Sequence, residues 1–235
     1  MRWVREALAV FVREWRAEWR TRVALSSVGL FAVISLVLIA LSLRDKEGNV
    51  LDTTARPVVA AGLLWVVVFF TAATGLGRAF VNEEERGTAL ALRLMARGTA
   101  VWTGKFAANA TLLLLLTGLA TPIMIGVLEV PVNSMNLALL ICVLCLGCLG
   151  IAAVFTMTSA LVAQASVKGG LLAALSFPVL IPLLQAGVHG TKAGLGVGNP
   201  EALFSMGSGD VQVLISYLVI SVTSSLLLFD YVWND

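Results

Sequence analysis

Three acids and an arginine stand together at Glu83-Glu84-Glu85-Arg86, closed by Gly87-Thr88, and Arg93 and Arg97 follow within three helical turns. This is the only dense charge cluster held between two runs apolar enough to cross a bilayer. Such a cluster is suited to be a surface against which another protein presses. Other chemistry-bearing residues are sparse. Gly98-Thr99-Ala100-Val101-Trp102-Thr103-Gly104-Lys105-Phe106 approaches a phosphate-binding loop, but it has five residues between its glycines where four are needed, and Phe106 cannot offer a hydroxyl to magnesium. Cys142, Cys145 and Cys148 recur every third residue beside Gly147 and Gly150. Small residues for close helix packing explain that pattern better than a thiolate metal site. Asn109-Ala110-Thr111 matches a glycosylation acceptor inside an apolar run, a chance match. The single histidine, His189, is a weak candidate for haem ligation and otherwise an interfacial residue.

The elements that must position these residues follow from composition. The chain is 59% hydrophobic and 13% charged, with a mean hydropathy of +0.94. Soluble domains carry roughly 25% charged residues, so this is an all-α polytopic membrane protein. Its 235 residues leave no room for an added soluble catalytic domain. A cleavable signal peptide is not expected, because Arg13, Glu14, Arg16, Glu18, Arg20 and Arg22 interrupt the first region.

Uncharged runs predict six spans, at about Val23–Leu43, Pro57–Gly77, Phe106–Leu128, Leu137–Ala163, Gly169–Val188 and Val211–Phe229. With the N-terminus inside, twelve Lys and Arg lie in inner segments, and four (Arg44, Lys46, Arg56 and Lys192) lie in outer ones. The positive-inside rule therefore predicts both termini in the cytoplasm, with segment 82–105 beside them. Residues 1–22 read as an amphipathic helix in the membrane interface. Val4, Leu8, Phe11, Val12, Trp15 and Trp19 share an arc of about 100°, with Arg2, Arg13 and Arg20 nearly opposite, where anionic lipid is available. Residues 23–235 form the permease-like membrane domain.

No predicted span holds an interior Asp, Glu, Lys or Arg, which argues against a proton-coupled carrier and against an intramembrane hydrolase. The energy source is expected on another chain. Pro178 and Pro182 should kink or break the fifth span, giving a bent helix that lines a pathway or serves packing alone. Gly190, Gly194, Gly196, Gly198 and Pro200 predict a mobile outer loop after it, with Leu203, Phe204 and Met206 near the outer interface. In a helical reading of the charged insert, Arg86, Arg93 and Arg97 lie within about 40° of one another and Ala91, Leu92 and Met95 face the spans.

The order of Glu83–Glu85, Gly87-Thr88, Leu90–Leu94 and Lys105 resembles the loop between the second and third spans of ABC-2 type permeases. Arg78-Ala79-Phe80 before the acids and the Pro178…Pro182 stretch make the chain most similar to the haem exporter permease CcmB. Two departures are Leu90, where that family commonly has an acid, and Ala96-Arg97-Gly98, which replaces a proline-bearing turn. The resemblance implies a non-enzymatic subunit in the bacterial inner membrane whose partner chain hydrolyses ATP. Glu83, Glu84, Glu85, Arg86, Gly87, Thr88, Arg93 and Arg97 would then couple the two. It implies a second permease-like subunit, haem-handling membrane subunits and a periplasmic haem chaperone, with haem as cargo and no cofactor resident in this chain. Membrane lipid is an expected partner; nucleic acid is not. The rival readings are an ABC-2 permease for a lipid, polysaccharide or drug, and a membrane scaffold without a transport cycle.

Overall fold

The computed structural model describes residues 2–21, 29–42, 54–76, 80–85, 87–88, 92, 94–163, 171–197 and 200–234. All regular structure among them is helical: α1 (Arg2–Thr21), α2 (Gly29–Ser42), α3 (Arg56–Gly75), α4 (Val81–Glu85), α5 (Gly98–Val127), a 3-10 turn (Val132–Ser134), α6 (Leu137–Ala163), α7 (Leu171–Gly194) and α8 (Pro200–Asn234). Five of these are long and apolar enough to cross a membrane: α3, α5, α6, α7 and the Gly209–Phe229 part of α8. The first predicted span falls on α2, whose 14 described residues are all uncharged, while residues 23–28 and Leu43 lie outside the described residues.

α6 is the centre of the bundle. Its sequence is apolar on every side, as a helix surrounded by others requires, and Ile151, Ala152, Ala153 and Phe155 are wholly buried. Its close neighbours are set by glycine. A Cβ on Gly147 would stand 2.0 Å from Cη2 of Trp65, and one on Gly187 of α7 would stand 2.6 Å from Cζ2 of the same indole. A Cβ on Gly150 would meet Leu183 at 2.2 Å. Trp65 of α3 is thus sandwiched between α6 and α7, and its Nε1 donates to Thr191 Oγ1 at 2.9 Å. The cysteines take a lesser part: Cys148 is buried against Thr117 of α5, while Cys142 and Cys145 are half-buried. Asn109 is buried as well, donating to Thr156 across the α5–α6 contact at 2.9 Å, a packing role for a residue in an apolar helix.

Three expectations are corrected. α5 starts at Gly98 rather than near Phe106, so Lys105 lies two turns inside a helix instead of at its mouth. Charge was the reason for ending the span there, and that charge is neutralised by partners described below. Of the kink or break expected at Pro178 and Pro182, the break does not occur: α7 is helix through both prolines, which are exposed. The expected outer loop is largely helix: Gly190 and Gly194 belong to α7, and Glu201–Met206 to α8. These glycines are there for proximity, since a Cβ on Gly194 would stand 3.0 Å from the Leu140 Cα and one on Gly190 would stand 2.9 Å from Val143. Only Gly196, at φ +85° against the Ser134 carbonyl, needs the left-handed backbone that glycine permits. Gly198 lies outside the described residues.

Candidate functional site

At one end of the bundle four elements meet. Phe80, just ahead of α4, packs on Phe229 and Trp233 at the end of α8, with ring centroids 5.4 and 5.7 Å away. Val101 and Trp102 at the start of α5 and Met157 and Ala160 near the end of α6 complete this apolar floor. α1 lies across α5: Trp3 Nε1 donates to Thr99 Oγ1 at 3.2 Å, and Gly104 lets Ala7 and Val10 approach so closely that a Cβ would meet both at 2.7 Å.

On that floor sits a buried cation. The Lys105 side chain is 1% exposed, its Nζ 5.0 Å above the Phe80 ring. It donates to Glu14 Oε1 of α1 at 2.8 Å and to Glu83 Oε1 of α4 at 3.4 Å. Arg13 of α1 donates to Glu83 and, at 2.9 Å, to Glu14. Two acids and two bases from α1, α4 and α5 therefore close one network. Burial alone would push the Glu83 carboxyl up; the charge of Lys105, the Thr88 hydroxyl and Arg13 overcome it and hold the group below the usual carboxylate range.

The turn after α4 explains Gly87-Thr88. Gly87 adopts φ +65° and donates to the Glu84 carbonyl at 3.1 Å, Thr88 N donates to the Glu83 carbonyl at 3.0 Å, and the Thr88 hydroxyl donates to the Glu83 carboxylate. A left-handed glycine ends the helix, as at many helix C-termini. Beyond it Leu92 is buried, whereas Leu94 and Met95 are 81% and 80% exposed, more than any other large apolar side chain described. Met95 thus faces away from the spans, contrary to the helical reading of this stretch. Arg97 is exposed, and its backbone N–H donates to Glu6 of α1 at 3.4 Å.

The structure thus separates the charged insert by role. Glu83 turns inward, while Glu84, Glu85, Gly87, Thr88 and Arg97 are exposed. Arg86 and Arg93 lie outside the described residues, as do Arg78, Leu90 and Ala91. Sequence reasoning missed Arg13 and Glu14 as partners of Lys105 and Glu83. A signal was present: Glu6 and Glu14 share a helical face with Ala7 and Val10, so that face of α1 is neither purely apolar nor purely charged.

A family model described as CcmB protein matches residues 5–227. The chain belongs to the CcmB family. No curated protein matches it. Membership in the CcmB family, together with five spanning helices, makes the chain an integral membrane permease of haem-export type, one subunit of an ABC transporter complex serving cytochrome c biogenesis. It is a permease subunit rather than a catalytic one.

At the other end of the bundle, His189 of α7 has a partner that sequence distance hid. Its Nδ1 lies 2.7 Å from Oδ2 of Asp210 on α8. A proton on Nδ1 donates to the carboxylate and leaves Nε2 with its lone pair. The imidazole side chain is 47% exposed and the Asp210 side chain 14%. Among the described residues no third His, Cys, Asp or Glu joins them.

Proposed function

We propose that this chain converts ATP hydrolysis on a partner subunit into movement that delivers haem to a periplasmic chaperone for c-type cytochrome maturation. The observation that carries the reading is the division of labour around α4. Leu94, Met95, Glu84, Glu85 and Arg97 are all exposed within one short stretch of chain, and apolar groups accompanied by charges are what a protein-docking surface uses. Arg86 and Arg93 belong to the same surface in this reading. Directly behind it, Glu83 is tied to α1 and α5 through Lys105. A push on α4 is passed to the start of a 30-residue helix without bending the α3–α6–α7 core.

The docking face is cytoplasmic and the membrane is the bacterial inner one, as the distribution of Lys and Arg supports. α1 lies at the interface between them, and its exposed Val4, Leu8 and Trp19 favour that placement. A second permease subunit faces the flank of α7 where Pro178 and Pro182 are exposed, so a pathway there would run between subunits. His189, pinned by Asp210 at the outer end, is the one imidazole that could meet haem iron as the cargo passes.

The test is a pair of variants in the whole complex. Leu94→Asp/Met95→Asp should remove the ATPase from affinity-purified complex. Lys105→Met should keep the ATPase bound while cutting the yield of c-type cytochrome at least tenfold. Normal cytochrome yield from both variants would reject the coupling role. A cargo other than haem would show as an unaltered cytochrome yield when the gene is deleted, and His189→Gln with an unchanged haem spectrum would remove the imidazole from the account.

A further inference from the structure

One flank of α7 carries polar groups where a lipid-facing helix carries apolar ones. At 100° per residue, Ala174, Pro178, Pro182, Gln185, His189 and Lys192 fall within an arc of about 80°. All are exposed except Lys192, which is half-buried. The line runs for about 27 Å at 1.5 Å per residue, close to the whole thickness of a ~30 Å hydrocarbon core. The exposed residues of α3 and α5 differ: they include Val66, Phe70, Leu115 and Leu119, which lipid tails meet without cost.

Two kinds of polar group stand on this line. Pro178 and Pro182 have no N–H, so the carbonyls of Ala174 and Pro178 lose the donors an α-helix would give them. Gln185, one turn below His189, brings a carboxamide that can both donate and accept, and it has no hydrogen-bond partner among the described residues. Such groups persist at membrane depth only where protein buries them or water reaches them. Burial would need a neighbour with matched donors and acceptors along the whole line. Water needs no match, and it has an entrance. The His189 side chain is 47% exposed at the end of the line, one turn from Lys192.

We propose that in the assembled complex this flank of α7 faces water, as one wall of a polar passage, with Gln185 the side chain that meets the water midway along it. This rests on the reading that a second permease subunit covers the flank, since that subunit supplies the other wall.

Thiol accessibility in native membranes opened to reagent on both sides tests it. The complexes carry alanine in place of Cys142, Cys145 and Cys148 and are compared only where their co-purifying subunits are unchanged. Gln185→Cys should react with a charged methanethiosulfonate roughly tenfold faster than Leu115→Cys or Leu119→Cys, because a thiol becomes the reactive thiolate where water reaches it. Val179→Cys, at a position equally open on the bare chain but off the line, should be as slow as Leu115→Cys. Gln185→Cys as slow as Leu115→Cys, or equal rates at positions 179 and 185, overturns the proposal. A photocrosslinker at Phe177, half-exposed beside the line, separates that failure from failure of the underlying reading. Crosslinks to a polypeptide with a slow thiol at 185 keep the covering subunit and remove the water; lipid adducts with a slow thiol remove both.

Discussion

The Trp65 contact and the Lys105 contact join helices by opposite means. Around Trp65, α3, α6 and α7 meet through glycines with no room for a methyl group, and one hydrogen bond to Thr191 fixes the indole. Around Lys105, α1, α4 and α5 meet through four charges, with the lysine as the one fully buried group. Apolar interlock tolerates almost no displacement, since interiors pack as densely as crystals. Ion pairs tolerate sliding so long as each charge keeps some partner, and here each acid has two bases within reach. The first contact is built to stay rigid, and the second can shift without stranding a charge.

The largest expected effect follows from that contrast. Lys105→Met removes the charge shared by Glu14 and Glu83, and stripping one partner from a buried ion pair costs about 3–5 kcal/mol. Arg13 remains, so the loss should fall at the lower end, read as thermal unfolding in detergent with a looser α1 by hydrogen exchange. Gly147→Ala is next: overpacking costs about 1–3 kcal/mol, and Trp65→Phe in the same chain should return part of it. No recovery would mean that Gly147 serves something other than the indole.

Acid titration separates the two contacts. Because the folded Glu83 carboxyl sits below its usual range, its ionisation contributes stability above the ordinary glutamate pKa of about 4.3, and the contribution is lost as pH falls through the lower folded value. The α1–α5 contact should therefore loosen at acid pH, while the Trp65 interlock, made of Gly147, Gly187 and the Thr191 hydroxyl, should hold. In Lys105→Met that loosening should move to higher pH. Coincident loss of both regions would deny them independence. The smallest effect is Gly87→Ala, where open space surrounds the added methyl but φ +65° strains it by about 1 kcal/mol.

Much of this was legible in the chain. The span expected over Leu137–Ala163 is helix throughout, and its start is marked by Asn136, whose Oδ1 accepts from the Leu139 N–H, while residues 164–170 lie outside the described residues. The glycines at 147 and 150 marked close packing, and the run from Glu83 to Thr88 marked the charged segment. What misled was the double meaning of single residues. Glycine reads as a breaker, yet Gly190 and Gly194 serve proximity inside α7. Lysine reads as the end of a span, yet Lys105 lies inside a helix because two carboxylates follow it there.

Hydrophobicity and charge, read along the chain, determined that this protein is a helical membrane bundle with one acidic segment between spans. Those properties add up residue by residue and need no knowledge of neighbours. Which acid turns inward, which cation it meets, and that His189 faces Asp210 were decided only by tertiary structure. Pairing energy depends on distance and burial, and neither exists until α1, α5, α7 and α8 have packed.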